Sequence, residues 1–136
     1  MPIRLMPDDE PLVVDYLDSH ASVTALVGTR VGTELPPNPV FPYLTVQSVA
    51  GVEKDPGHLD EAYVDLSAWG TKAAAKLLIR TARAALLDAP LASHSRGIVS
   101  HARTILPPRW LPDESVTPTR PRYVCTVALT IHPHPL

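Results

Sequence analysis

Between Ala62 and Leu87 the spacing of apolar residues changes its period. In the run AYVDLSAWGTKAAAKLLIRTARAALL, Val64, Leu66 and Ala68 alternate with Tyr63, Asp65, Ser67 and Trp69, the rhythm of a strand with one buried face. Beyond Gly70 the rhythm lengthens. Ala75, Leu78, Ile79, Ala82, Ala85 and Leu86 recur at three- and four-residue spacing, which predicts one apolar stripe along a helix capped by Thr71. Each Leu or Ile buried there contributes about 1.5–3 kcal/mol. The alanines let the helix lie close to a flat sheet. Lys72, Lys76, Arg80 and Arg83 fall on the opposite side, a cationic stripe open to solvent or a partner.

The same reading extends along the chain. DDEPLVVDYLDSH predicts a first helix with Asp8 or Asp9 as cap, Pro11 in the first turn and Val13, Tyr16 and Leu17 on one face. SVTALVG predicts a second, with Ser22 as cap and Gly28 as stop. TRVGTEL reads as a short strand and Tyr43 to Val49 as a longer alternating one. AGVEKDPGHLDE follows as a loop built on Asp-Pro-Gly turn chemistry, so the strands on either side form an antiparallel pair. GIVSHARTIL and RYVCTVALTIH are further strands. The order of helices and strands predicts an α+β fold, a mainly antiparallel sheet with helices packed on one face.

Composition changes this picture at one point. Of 136 residues, 16 are proline, against about 5% in ordinary proteins. They cluster in PPNPVFP, between Pro107 and Pro121, and in the tail HPHPL. Such clusters form stiff connectors. The expectation is a single domain over 1–136, with a proline-rich loop at 107–121 and a short flexible C-terminal tail. A loop of that length inside a small domain is usually functional or disordered, and Arg109, Trp110 and Leu111 within it are candidate contact residues, because Trp and Arg are favoured interface anchors.

Candidate chemistry is sparse. Cys125, the lone cysteine, excludes an internal disulfide, and its place in the most apolar strand marks it as a core residue. His132 and His134 share a face but lack further ligands of the right parity. Neither a Gly-x-Ser-x-Gly elbow nor a glycine-rich phosphate loop with its lysine occurs. The acids Glu53, Asp55, Asp60, Glu61 and Asp65 read as a solvated cluster. The expectation is therefore no catalytic residue, cofactor or metal site. A formal charge of −2 argues against a general nucleic-acid binder. The first ten residues lack the apolar run of a signal peptide, and no stretch is apolar for a membrane's thickness. A protein made and used in a cytoplasm is expected.

Charge is regional. Residues 53–65 carry five acids and one base, and residues 96–122 carry five bases and two acids. Copies of such a chain can join head to tail through heterologous contacts that close into rings.

Taken together, TALVGTRV, FPYLTVQSVAG after a proline connector, the strand-into-helix run AYVDLSAWGTKAAAKLLIRTARAALL and the final PRYVCTVALTI resemble the tail-terminator or tail-completion proteins of long-tailed bacteriophages. The resemblance covers roughly residues 12 to 131, and the 107–121 segment departs from it in length and proline content. It implies helices against an antiparallel sheet and no catalytic residues. It further implies a hexameric ring on the head-proximal end of the tail tube, with the major tail tube protein and a head-neck connector protein as partners. The implied location is the tail-neck region of the virion, assembled in the host cytoplasm, with no membrane and no sequence-specific nucleic acid involved. Another neck component, a cytoplasmic binding module and a small enzyme are the competing readings.

Overall fold

Five strands and three helices form around the apolar pattern just described. The computed structural model describes residues 5–135. Helix α1 spans Asp9–Ser19, with the Asp8 side chain accepting a hydrogen bond from the Glu10 amide. Helix α2 spans Ala21–Val27, and the His20 ring caps it by accepting from the Ser22 amide. The cap is therefore His20, not Ser22; the two helices abut so closely that His20 both ends one and starts the other. Gly28 terminates α2 at φ +60°, a conformation natural to glycine.

The sheet has the order β1-β2-β3-β5-β4. Its strands are β1 (Val31–Gly32), β2 (Tyr43–Asp55), β3 (Leu59–Trp69), β4 (Ile98–Trp110) and β5 (Arg122–His132). All neighbours are antiparallel except the two-residue β1, which runs parallel to β2. The fold class is thus α+β, as the pattern predicts. Helix α3 (Lys72–Leu87) lies across β3, β5 and β4, with Thr71 Oγ1 accepting from the Ala74 amide at its N-terminus. All six residues of its predicted stripe are buried. They meet Val64 and Leu66 of β3 and Cys125, Val127 and Leu129 of β5 in one apolar cluster, which α1 and α2 complete with Leu12, Val13, Leu17, Val23 and Val27. The Tyr16 hydroxyl donates to the Ala85 carbonyl at 2.7 Å. It thereby ties α1 to the last turn of α3, sharing that carbonyl with the Asp88 amide.

The opposite sheet face has no helix, yet Val124, Thr126 and Ala128 are buried there too. Longer side chains of the flanking strands close over β5. Arg103 of β4 reaches across it to Glu61 of β3, Nη2 to Oε1 3.1 Å, and Thr126 donates to Asp65.

Two predicted boundaries move. Strand β2 does not stop at Val49 but continues to Asp55, so β2 and β3 form a long arm closed by Asp55-Pro56-Gly57-His58, with Gly57 at φ +77°. Gln47 to His58 are all exposed. No core lies beneath this arm, so no hydrophobic alternation announces it. The predicted loop at 107–121 also shortens. Strand β4 carries Pro107, Pro108, Arg109 and Trp110, and only 111–121 is irregular, with one bridge between Asp113 and Arg120. The prolines are tolerated because β4 is an edge strand, and its register shifts between Leu106 and Arg109.

Candidate protein interface

At the end of the sheet where β2 begins and β3 ends, the register aligns Tyr43, Trp69 and Arg122 across β2, β3 and β5. Tyr123 and Trp110 align one residue further on, across β5 and β4. The Trp69 indole donates to Thr45 Oγ1 at 3.1 Å, and the Arg122 guanidinium stands 5.0 Å from the Trp69 ring centre. Arg122 Nε also donates to the Leu111 carbonyl at 2.8 Å, so one side chain fixes both the ring and the start of the irregular loop. Trp110 meets Tyr123 edge to face, centroids 5.1 Å apart. Lys72 Nζ lies 5.3 Å from the Trp110 ring centre, and Arg120 lies 5.9 Å from that of Phe41.

Lys72 is the first residue of α3, where a cation opposes the helix dipole. The Trp110 ring face offsets that unfavourable placement, since cation–π contacts are worth about 0.5–1 kcal/mol at exposed sites. The result is a platform at the sheet end that carries aromatic rings and cations on both faces, Thr45, Trp69 and Arg122 on the helix-free face and Lys72, Trp110 and Tyr123 on the α3 face, because neighbours on a strand point to opposite sides. Val40, Phe41, Trp110 and Leu111 remain exposed on it, 39–64% of each residue facing solvent. Aromatic residues and arginine are what interface cores enrich.

Of the predicted contact residues, the structure brings Trp110, Leu111 and Lys72 to this platform. Arg109 is on β4 beside them, half-buried, with Nη1 lacking a hydrogen-bond partner. Lys76 and Arg80 lie one and two turns along α3 on its exposed side. Arg83 does not belong to the solvent stripe: it sits between Ile79 and Leu86, is half-buried, and its Nε is buried without a partner. Four-residue spacing from Ile79 and three from Leu86 puts it on the shoulder of the apolar face. Phe41, Arg120, Arg122 and Tyr123 complete the platform and were missed by sequence reasoning. The Pro-Arg-Tyr entry to the last strand is the signal that could have found two of them.

The remaining chemical candidates are occupied by structure. Cys125 is fully buried, and burial pushes its thiol up to about 12. The His132 ring hydrogen-bonds Ser100 Oγ at 2.7 Å, and His134 bonds the His94 carbonyl at 2.8 Å. Among the described residues, no three His, Cys, Asp or Glu side chains converge in the manner of a metal site. A groove of about 290 Å³ between α1 and residues 93–96 contains Asp15, Tyr16 and His94. Asp15 is ion-paired with Arg96 at 2.6 Å and the His94 ring bonds the Ala89 carbonyl at 2.8 Å.

The comparisons with known proteins bear on the family and the fold. A family model described as tail completion protein gp17 matches residues 11–117. A chain in the virion of a native gene transfer agent particle has a similar fold. Its TM-score is 0.67 and its identity 22%, over 90% of this chain and 93% of that one. No curated protein matches the chain. Because the family match covers residues 11–117, well over half of the chain, the protein belongs to the family of the tail completion protein gp17 and is a structural component of the phage tail or neck.

Proposed function

We propose that copies of this chain form a ring that caps the head-proximal end of the tail tube, ends tube polymerisation and provides the joint to the head-neck connector. The observation that carries the reading is the aromatic and cationic platform, with Trp110 and Lys72 in contact on the α3 face and Val40, Phe41 and Leu111 exposed where the chain enters β2 and leaves β4. A cap works by shape. It must hold the last ring of the tube and refuse another, which requires a specific interface of roughly 800 Å² on each partner. Tyr123 is buried edge to face against Trp110, and Trp69 is buried on the other face of the sheet with its indole bound to Thr45, so the rings are held in place before contact. Such preorganisation lowers the entropy lost on docking. In this reading the platform seats on the neighbouring protein ring, with Arg109, Trp110, Leu111 and Lys72 in the contact. Lys76 and Arg80 extend it along the exposed side of α3.

Electron microscopy of particles assembled with and without the protein tests the reading. Overlong, headless tails in its absence are expected. Tails of normal length beside leaking, DNA-filled heads would replace tube termination with a head-completion role. Catalytic turnover of a small substrate by the purified chain would overturn the structural reading altogether.

A further inference from the structure

The two edges of the sheet are not equivalent. The β2 edge is closed where it meets the body: β1 pairs with Leu44 and Thr45, and Glu10 Oε2 of α1 accepts the Ser48 amide at 2.7 Å. The β4 edge is open. Among the described residues no strand pairs with the outer side of β4, so Ser100 to Leu106 present unused backbone donors and acceptors. Natural edges are usually blunted; here Arg103 and register shifts at Val99/His101 and Thr104/Leu106 interrupt the edge, but no proline precedes Pro107 and Ile98 and Leu106 stay exposed.

The β2–β3 arm is the complementary object. It is a paired ribbon whose side chains from Gln47 to His58 are all exposed, including Val49 and Val52. On its other side β3 pairs with β5 from Asp60 onward, so only the tip at 55–59 lies beyond the sheet, and the backbone edge the arm offers is that of β2 past Ser48. The arm carries Glu53, Asp55, Asp60 and Glu61 against one base, Lys54. The β4 stretch from 96 to 110 carries Arg96, Arg103 and Arg109 and no acid. The opposite charges already meet once within a copy. Arg103 binds Glu61, whose carboxyl this partner holds below the usual range, and half of the Arg103 side chain stays exposed. The arm cannot fold onto its own β4 edge, because β5 and β4 lie between β3 and that edge.

We infer that the open β4 edge receives the β2–β3 arm of a second copy of this chain. Main-chain hydrogen bonds along Ser100–Leu106 would join the two, Val49 and Val52 would meet Ile98 and Leu106, and the arm's acids would face the arginines of β4. The contact is heterologous, so each copy offers one arm and one edge, and a closing rotation makes a ring. The inference rests on the proposed lateral association of copies and names the surfaces that make it.

Disulfide trapping tests it. Val52→Cys protein is mixed with Ser100→Cys, Ala102→Cys, Thr104→Cys or Leu106→Cys protein under mild oxidation at high concentration, with Ala25→Cys, exposed on α2 away from β4, as control. Covalent dimers between Val52→Cys and at least one β4 variant, and none with Ala25→Cys, are expected. In parallel, Glu53→Lys with Asp55→Lys is followed by sedimentation. Both sites are exposed, so folding is retained, and self-association should weaken by about 3- to 10-fold, with the wild type converging on the variant as salt rises. Assembly without any 52-to-β4 cross-link would overturn the arm-and-edge contact while leaving the cap reading to the tail-length experiment. A chain that stays monomeric throughout would overturn the inference, and tails of normal length in the protein's absence would overturn the cap reading.

Discussion

The two ends of the sheet are made from the same β2, β3, β5 and β4 strands and differ in what lies under them. At the platform end, Trp69 and Tyr123 are buried, α3 begins against Trp110, and each ring has a fixed neighbour. At the arm end, β2 and β3 run on past the helices with every residue from Gln47 to His58 exposed. The first end is rigid before it meets anything. The second keeps its shape through backbone pairing alone and gains side-chain burial only from a partner. Backbone pairing suffices to project a surface, whereas fixing side chains in place takes a core.

The largest test of that contrast is Trp69→Ala. Removing a buried ring that Thr45 and Arg122 hold should lower stability by about 3–5 kcal/mol in chemical denaturation. Shortening the arm, by replacing residues 52–58 with a tight turn, should leave stability within about 0.5 kcal/mol. If the arm deletion proved as harmful as the Trp69 change, the two ends would not differ in kind. Next in size is Trp110→Ala. Its folding loss should be about 0.5–1.5 kcal/mol, from the lost pairing with Tyr123. Docking to the tail should fall by 2 kcal/mol or more, as for a hot-spot anchor. A variant that assembles normally would remove Trp110 from the interface. Thr71→Ala, which removes the α3 cap beside the platform, should cost about 1 kcal/mol and shift the thermal midpoint accordingly.

The smallest effect is at the root of the arm. Arg103 lowers the Glu61 pKa, so folding favours the charged carboxylate. Its contribution is present above the ordinary glutamate range and is lost as pH falls through the lowered value. Glu61→Gln should therefore flatten the acid side of the stability profile while leaving neutral-pH exchange at the platform unchanged. An unaltered acid limb would show that the bridge is merely solvated.

Alternation and helical spacing were enough to place α3, its cap Thr71 and its six buried residues, and to place β5. These elements face a core, and a core imposes a period on the residues that touch it. The α+β class followed from their order. The far half of β2 was illegible, because strands with nothing packed on them carry no such period. So was the continuation of β4 through Pro107 and Pro108, which read as loop although an edge strand accommodates them. The predicted cationic stripe divided for the same reason. Lys72 and Arg83 share a helix side by residue type, but only the packed structure shows one leaning on Trp110 and the other wedged beside Ile79 and Leu86.

By itself, then, the sequence determined which faces are apolar, where helices start and that charge is divided between regions, since these are properties of neighbours along the chain. Only the tertiary structure decided that Phe41 meets Arg120 and Lys72 meets Trp110 at the same end of the sheet, and that β1 closes the first part of the β2 edge while the β4 edge stays open among the described residues. Both depend on the strand order, which brings together residues as far apart as 41 and 120 through long-range pairing that no local pattern records.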